Sequence, residues 1–355
     1  MEDLDMTAFW RGKRVLVTGH TGFKGSWLSL WLSSVGAEVF GLALAPDTEP
    51  ALFEQFGLAD NLDHALIDIR DQDAVDKRVR SVSPDIILHL AAQPLVLQSY
   101  EDPLATWQTN VMGSCHVMEA ARHLSGLCAL VMITTDKVYE NREWCYPYRE
   151  VDPLGGHDPY SASKAAMEIA VASWRRSFLT EDGSLRMASA RAGNVIGGGD
   201  WASDRIVPDL VRALEEGRAL EVRNPKATRP WQHVLEPLAG YLRLAQYLYE
   251  SGAPAYQSSF NFGPEARDVR PVHDLVEAAS VHWPGTWTDT SDPTQRHEAQ
   301  SLSLSIEKAR GTIGYHPRTG FEEAVELTMR WYRDVADGAD AKTTSLAQIE
   351  AFGSP

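Results

Sequence analysis

Apolar residues in this chain fall into short unbroken runs separated by longer amphipathic stretches. Arg14–Thr18, Glu38–Leu44, Ala65–Asp68, Asp85–Leu90, Ala129–Thr134 and Met187–Arg191 have strand length, and several are apolar throughout. That is the pattern of strands covered on both faces. Between them the apolar positions recur at helical spacing. Trp27, Leu28, Leu30, Trp31 and Leu32 follow a glycine turn and end before Gly36. Further helices are predicted over 71–82, 105–123 and 159–178. Strands alternating with helices predict an α/β fold built on a doubly wound parallel sheet of the Rossmann type.

After Ala192 the texture changes. Gly193-Asn194 and Gly197-Gly198-Gly199-Asp200 interrupt the alternation. Helices are predicted over 205–216, 234–249, 271–283, 306–313 and 321–332, with a short strand at 219–223. A strand at 258–262 is expected to return to the sheet. The expected division is a dinucleotide-binding domain over 1–191, rejoined by 234–262. A smaller mixed α/β substrate lobe takes 192–233 and 263–340, and 341–355 forms a tail.

Composition narrows the function. The chain has 355 residues and a net charge of −16, from 33 basic and 49 acidic side chains. An acidic balance argues against nucleic-acid binding, which needs a basic surface, yet leaves room for a locally basic pocket. No apolar run approaches the roughly 18 residues of a membrane span. The opening MEDLDMTAFW has neither the basic nor the apolar segment of a secretory leader, so a cytoplasmic protein is expected. Cys115, Cys128 and Cys145 lack metal-ligand or redox spacing, and no metal site is expected.

Two clusters carry chemistry. Gly19-His20-Thr21-Gly22-Phe23-Lys24-Gly25 lies between a strand and a helix within a βαβ unit. In that context glycines let the backbone approach a pyrophosphate at a helix N-terminus. Lys24 either reaches a phosphate or is an exposed loop lysine. Asp68 either meets an adenine amino group or caps a turn. The second strand ends in Leu42-Ala43-Leu44, with Asp47 late and no arginine adjoining, so it does not choose between NAD and NADP. The second cluster is Thr135-Asp136-Lys137 with Tyr160 and Lys164. On a helix Tyr160 and Lys164 share a face. An ammonium there is expected to draw the phenol towards ionisation.

Taken together, GHTGFKG, HLAAQP (89–94), TTDKVY (134–139) and YSASK (160–164) resemble the extended short-chain dehydrogenase/reductase superfamily. NPKATRPWQHVLEPL (224–238), NFGP (261–264) and GYHP (314–317) narrow the resemblance to nucleotide-sugar 4,6-dehydratases of the CDP-glucose branch. The resemblance implies NAD as cofactor, held at Gly19, His20, Gly22, Phe23, Lys24, Gly25, Asp68, Ile69, Ala91, Ala92 and Gln93, with Tyr160 and Lys164. It implies an internal redox cycle: hydride leaves sugar C4, water is eliminated across C5–C6, and the hydride returns to C6. Tyr160 takes the C4 hydroxyl proton, Thr135 holds the C4 oxygen, and Asp136 acts as acid at the C6 hydroxyl. Dehydratases of the dTDP-glucose branch carry Glu where this chain has Lys137. Lys137 is therefore either the C5 base or the group that orients a water there. Gln93, Ser99, Asn194, Arg205, Arg229, His233 and Arg296 are the implied substrate contacts. Arg229 ranks first among the phosphate ligands because arginine grips phosphate oxygens in pairs. His233 is split between ligand contact and packing, and Asn110 is expected to brace the catalytic strand.

A 4-epimerase would use the same Thr, Tyr and Lys without an elimination pair. A non-catalytic NAD-binding scaffold would need none of the four. The resemblance also implies a homodimer or homotetramer, joined through helices 105–123 and 159–178.

Overall fold

The computed structural model describes residues 6–180, 183–251, 253–254, 256–292 and 299–353. Its centre is a seven-stranded sheet: β1 (Arg14–Thr18), β2 (Glu38–Ala43), β3 (Asp63–Leu66), β4 (Ile86–His89), β5 (Cys128–Ile133), β6 (Leu185–Ala192) and β7 (Ser259–Phe262). The order is β7-β6-β5-β4-β1-β2-β3, and every pairing is parallel. The order reverses between β1 and β4, which opens a crevice at the carboxyl ends of the strands.

Side-chain alternation along these strands builds two cores. Val15, Val17, Ile86, Leu88 and Val131 face one side and pack with α1 (Phe23–Ser34). Leu16, Ile87, Leu130, Met132 and Met187 face the other side, under α2 (Gln72–Val82). A helical run α3 (Pro103–Trp107, Gln108–Gly113, Ser114–Arg122) and α4 (Pro159–Phe178) complete that layer. Each fully buried Val, Leu or Ile contributes about 1.5–3 kcal/mol, so two such layers hold the strand ends firmly.

Beyond β6 come α5 (Ile206–Glu215), α6 (Leu235–Ser251), α7 (Val272–His282), α8 (Glu307–Ile313) and α9 (Phe321–Ala336). Strand β7 pairs with β6, from Ser259 opposite Ser189 to Phe262 opposite Ala192. The stretch assigned above to a tail contains α10 (Ala341–Phe352), where Ser345 accepts a 2.8 Å hydrogen bond from Trp331.

Three local expectations shift. The third strand forms at 63–66 rather than 65–68, because Asp71 N–H donates to the Asp68 carbonyl and turns the chain there. The helix expected from Ala105 starts at Pro103, capped by Asp102, whose carboxylate accepts from Ala105 N. Its middle turn, Gln108–Gly113, is a π-helix. Such turns arise where a side chain is claimed from outside the helix. Here Asn110 bonds the Gln93 backbone at both N–H and carbonyl and donates to Ser163 Oγ.

Candidate active site

The carboxyl ends of β1, β2, β4, β5 and β6 open into one cleft of about 830 Å³. Its floor is the glycine turn. Gly19 has φ +73°, and a Cβ there would meet Ala91 N at 2.8 Å. A Cβ on Gly25 would lie 2.0 Å from the Gly19 carbonyl oxygen. Helix α1 starts at Gly22 with no side-chain cap, leaving backbone N–H groups aimed into the cleft. These features fit a dinucleotide pyrophosphate. Gly19, Gly22, Phe23, Lys24, Gly25, Asp68, Ile69, Ala91 and Ala92 all line this part. A Gly25→Ala exchange is expected to weaken NAD binding at least tenfold while the sheet still folds; quenching of the protein's tryptophan fluorescence on titration with NAD, or calorimetry, reads it.

The second half of the cleft holds the side chains expected to carry the chemistry. Asp158 caps α4, its carboxylate accepting from Ser161 N at 2.9 Å, and Pro159 supplies a pre-set first turn. That fixes Tyr160 and Lys164 on the face towards β5. Just past β5, Thr135 is extended and caps the one-turn helix Asp136–Val138. Its hydroxyl donates to Asp136 Oδ1 at 3.0 Å. Asp136 is only 1% exposed, and among the described residues no donor reaches its Oδ2. A Cβ on Gly193 would fall 2.0 Å from that oxygen, so only glycine there leaves Asp136 in place. Thr135, Asp136, Lys137, Tyr160, Lys164, Asn194, Arg205 and Arg229 all line the cleft.

The electrostatics differ from the expectation for Tyr160 and Lys164. Burial pushes the Tyr160 phenol up to about 12, with Asp136 raising it further; Thr135 and Arg205 pull it back. Arg205 is the cation that lowers Tyr160. Burial, then repulsion from Lys24, lowers Lys164 to about 7, with Glu168 opposing. Its ammonium donates to the Ile133 carbonyl at 3.3 Å. Lys24 is no exposed loop residue: burial and Arg205 lower it to about 8, while Asp136 and Asp200 favour its charge.

Several expected contacts stand elsewhere. His20 is buried beneath Gly41 and packs edge-on to Phe53. Gln93 spends its amide on Thr106 and on Leu95 N–H, and Ser99 donates to the Val96 carbonyl. His233 is buried and packs edge-on to Trp27, so packing prevails over ligand contact. Asp68 is gripped by Arg70 at 2.6 Å, which holds its carboxyl below the usual range. Arg205 pairs with Asp200 at 2.8 Å, and Arg229 donates to the Thr228 carbonyl. Arg296 lies outside the described residues. The cleft also gains Thr21, Arg70, Tyr100, Asp200, Trp201 and Trp231. The GGGDW run and the RPWQHV run carried a signal for Asp200, Trp201 and Trp231. Nothing in the spacing pointed to Tyr100. Among the described residues no cluster of His, Cys, Asp and Glu could hold a metal ion, and no helix is long and apolar enough to cross a membrane.

The reversed sheet order, the glycine cradle and the Thr-Tyr-Lys arrangement define an extended short-chain dehydrogenase/reductase. The family model described as GDP-mannose 4,6 dehydratase matches residues 16–328. The chain belongs to that family. It is 45% identical to the CDP-glucose 4,6-dehydratase of Salmonella typhimurium over 350 residues, covering 97% of both chains. Among solved structures, a dTDP-glucose 4,6-dehydratase of Streptomyces venezuelae superposes with a TM-score of 0.78 at 23% identity, over 92% of this chain and 99% of that one. The UDP-glucose 4-epimerase of Thermus thermophilus, solved with NAD, gives 0.77 at 25% identity over 90% and 98%.

Proposed function

We propose that this enzyme dehydrates CDP-D-glucose to CDP-4-keto-6-deoxy-D-glucose. The observation that carries the elimination chemistry is the pair Asp136-Lys137, set directly after Thr135 and facing the same cleft as Tyr160. An epimerase needs no such pair. The cytidine nucleotide is supported by the 45% identical Salmonella relative.

NAD, when bound, would supply the redox capacity of the reaction. The chain does the rest. Gly19, Gly22 and Gly25 with the first turn of α1 would hold its pyrophosphate, and Lys164, which lines the cleft, would hold its nicotinamide ribose. Tyr160 takes the C4 hydroxyl proton while Thr135 holds that oxygen. Ketone formation at C4 acidifies the C5 proton, which Lys137, or a water it orients, removes. Asp136 protonates the departing C6 hydroxyl. Arg205 and Arg229 line the side where the nucleotide diphosphate would lie.

Leu104, Trp107 and Met112 on α3 and Ile169 and Phe178 on α4 are exposed. Apolar groups in such number on adjacent helices support a contact between copies of the chain, as a homodimer or homotetramer. The absence of a spanning helix among the described residues is compatible with a cytoplasmic enzyme.

Incubation with CDP-glucose and NAD in heavy water tests the assignment. The expected product has lost one water and carries deuterium at C5. A galacto product of unchanged mass, apart from exchange, would replace the dehydratase by an epimerase.

A further inference from the structure

Helix α4 carries a third residue at the spacing of Tyr160 and Lys164: Glu168, one turn further along the same face. It is 2% exposed, deep behind the cleft. Its carboxylate accepts from Thr134 Oγ1 at 2.6 Å, Ser189 Oγ at 2.8 Å and Ser259 Oγ at 3.1 Å. Arg191 meets it with two prongs, Nε to Oε1 at 3.0 Å and Nη2 to Oε2 at 2.9 Å. Arg191 also donates to the Tyr139 hydroxyl, which donates to Asn261 Oδ1 at 2.7 Å. One carboxylate thus joins α4 to β5, β6 and β7 behind the catalytic turn. Thr134 is the residue immediately before Thr135.

Packed apolar side chains could fill this space without desolvating a charge pair, so the ions are there for something other than bulk stability. We propose that Glu168 is a positioning residue for the C4 proton transfer: it ties Thr134 to α4, so fixing Thr135 against Tyr160, and it sets a carboxylate one helical turn from Lys164 on the same face. This rests on the dehydratase assignment above.

The charges around the two groups set the sign. Lys164 faces Lys24 from α1, His89 from β4, and Glu168 on its own helix. Burial holds His89 down to about 3, so it stays neutral over the working range. Glu168 faces Arg191 from β6, Arg175 on α4 and Lys308 from α8. Lys164 is already lowered to about 7 and Glu168 opposes that shift, so loss of the Glu168 charge lowers it further; loss of Arg191, the main group holding Glu168 ionised against burial, acts in the same direction.

The experiment is the pH dependence of kcat in E168Q, R191Q and E168D, on CDP-glucose with NAD. In E168Q the alkaline limb is expected to move down by about one pH unit, a tenfold loss on that limb that lower pH restores. R191Q, which weakens the Glu168 charge, also moves the limb down, and E168D brings it back towards the parent. An unshifted limb in folded E168Q, or an upward shift in either charge variant, overturns the proposal. Where a single exchange does not fold, the E168Q/R191M pair removes both charges at similar volume. Its limb must also move down, and an unshifted one is equally fatal. NMR titration of the Lys164 side chain in the protein with NAD alone reads the same shift without turnover. Failure of the parent enzyme to convert CDP-glucose therefore sinks the assignment, whereas unshifted variants beside a working parent sink only the role of Glu168.

Discussion

Replacing Tyr160 by Phe is expected to lower turnover by about 10²–10⁴-fold and to stop exchange of the sugar C5 hydrogen with heavy water. The exchange is the sharper readout, because C5 becomes acidic only once C4 is oxidised. Phe keeps the ring of a side chain that is 8% exposed, so packing and nucleotide binding should persist. What is lost is the hydroxyl bonded to Thr135. In the protein alone that hydroxyl is a firm phenol, pushed up to about 12 by burial and by Asp136. Proton removal from the sugar therefore depends on the cations that oppose those effects. Arg205 is the one Tyr160 feels directly, and exchange of Arg205 for Met should raise the phenol further and slow oxidation at neutral pH. The rate then recovers as pH rises, since Tyr160 must be ionised to accept the proton. Normal C5 exchange in the Phe variant would remove Tyr160 from the role of base.

The sheet was legible because strand runs such as Ile86-Ile87-Leu88 carry their burial in the sequence; each is apolar on both faces and sits between two helix layers. The reactive group was legible for a similar reason, since Thr135, Asp136, Tyr160 and Lys164 are placed by a strand end and a helix start with local causes. What stayed hidden is whatever depends on contacts far along the chain. The π turn at Gln108–Gly113 exists because Asn110 is held by Gln93, and no periodicity records that. His20 and His233 sit inside matching motifs, yet both are packing residues, because spacing does not tell which way a ring turns. The inverted relation of Tyr160 and Lys164 is likewise electrostatic: burial of both groups outweighs their proximity, and the neighbours that decide their charge, Lys24, Arg205 and Glu168, come from other elements or another turn.

Asp136→Asn and Lys137→Ala should divide the elimination into its two halves. Asp136 presents one oxygen to Thr135, while Oδ2 lies buried against Gly193 without a donor among the described residues, the arrangement suited to a substrate hydroxyl. Asn keeps the size and the bond to Thr135 but cannot give a proton to a leaving oxygen. The Asn variant should therefore oxidise C4 and exchange the C5 hydrogen, yet lose water about 10²–10⁴ times more slowly. Lys137 is half-buried at the cleft, held by its backbone N–H on Thr135 Oγ1 at 3.4 Å. Its exchange for Ala should leave C4 oxidation intact and suppress both exchange and water loss. Acid quenching followed by borohydride traps the 4-ketone as a mixture of gluco and galacto sugars, so oxidation is scored apart from the later steps. Trapped ketone with exchange in the Asn variant, and trapped ketone without exchange in the Ala variant, is the expected pair of results. Rapid water loss in D136N would move the acid role away from Asp136. Normal turnover in K137A would leave the C5 proton to another group in the cleft.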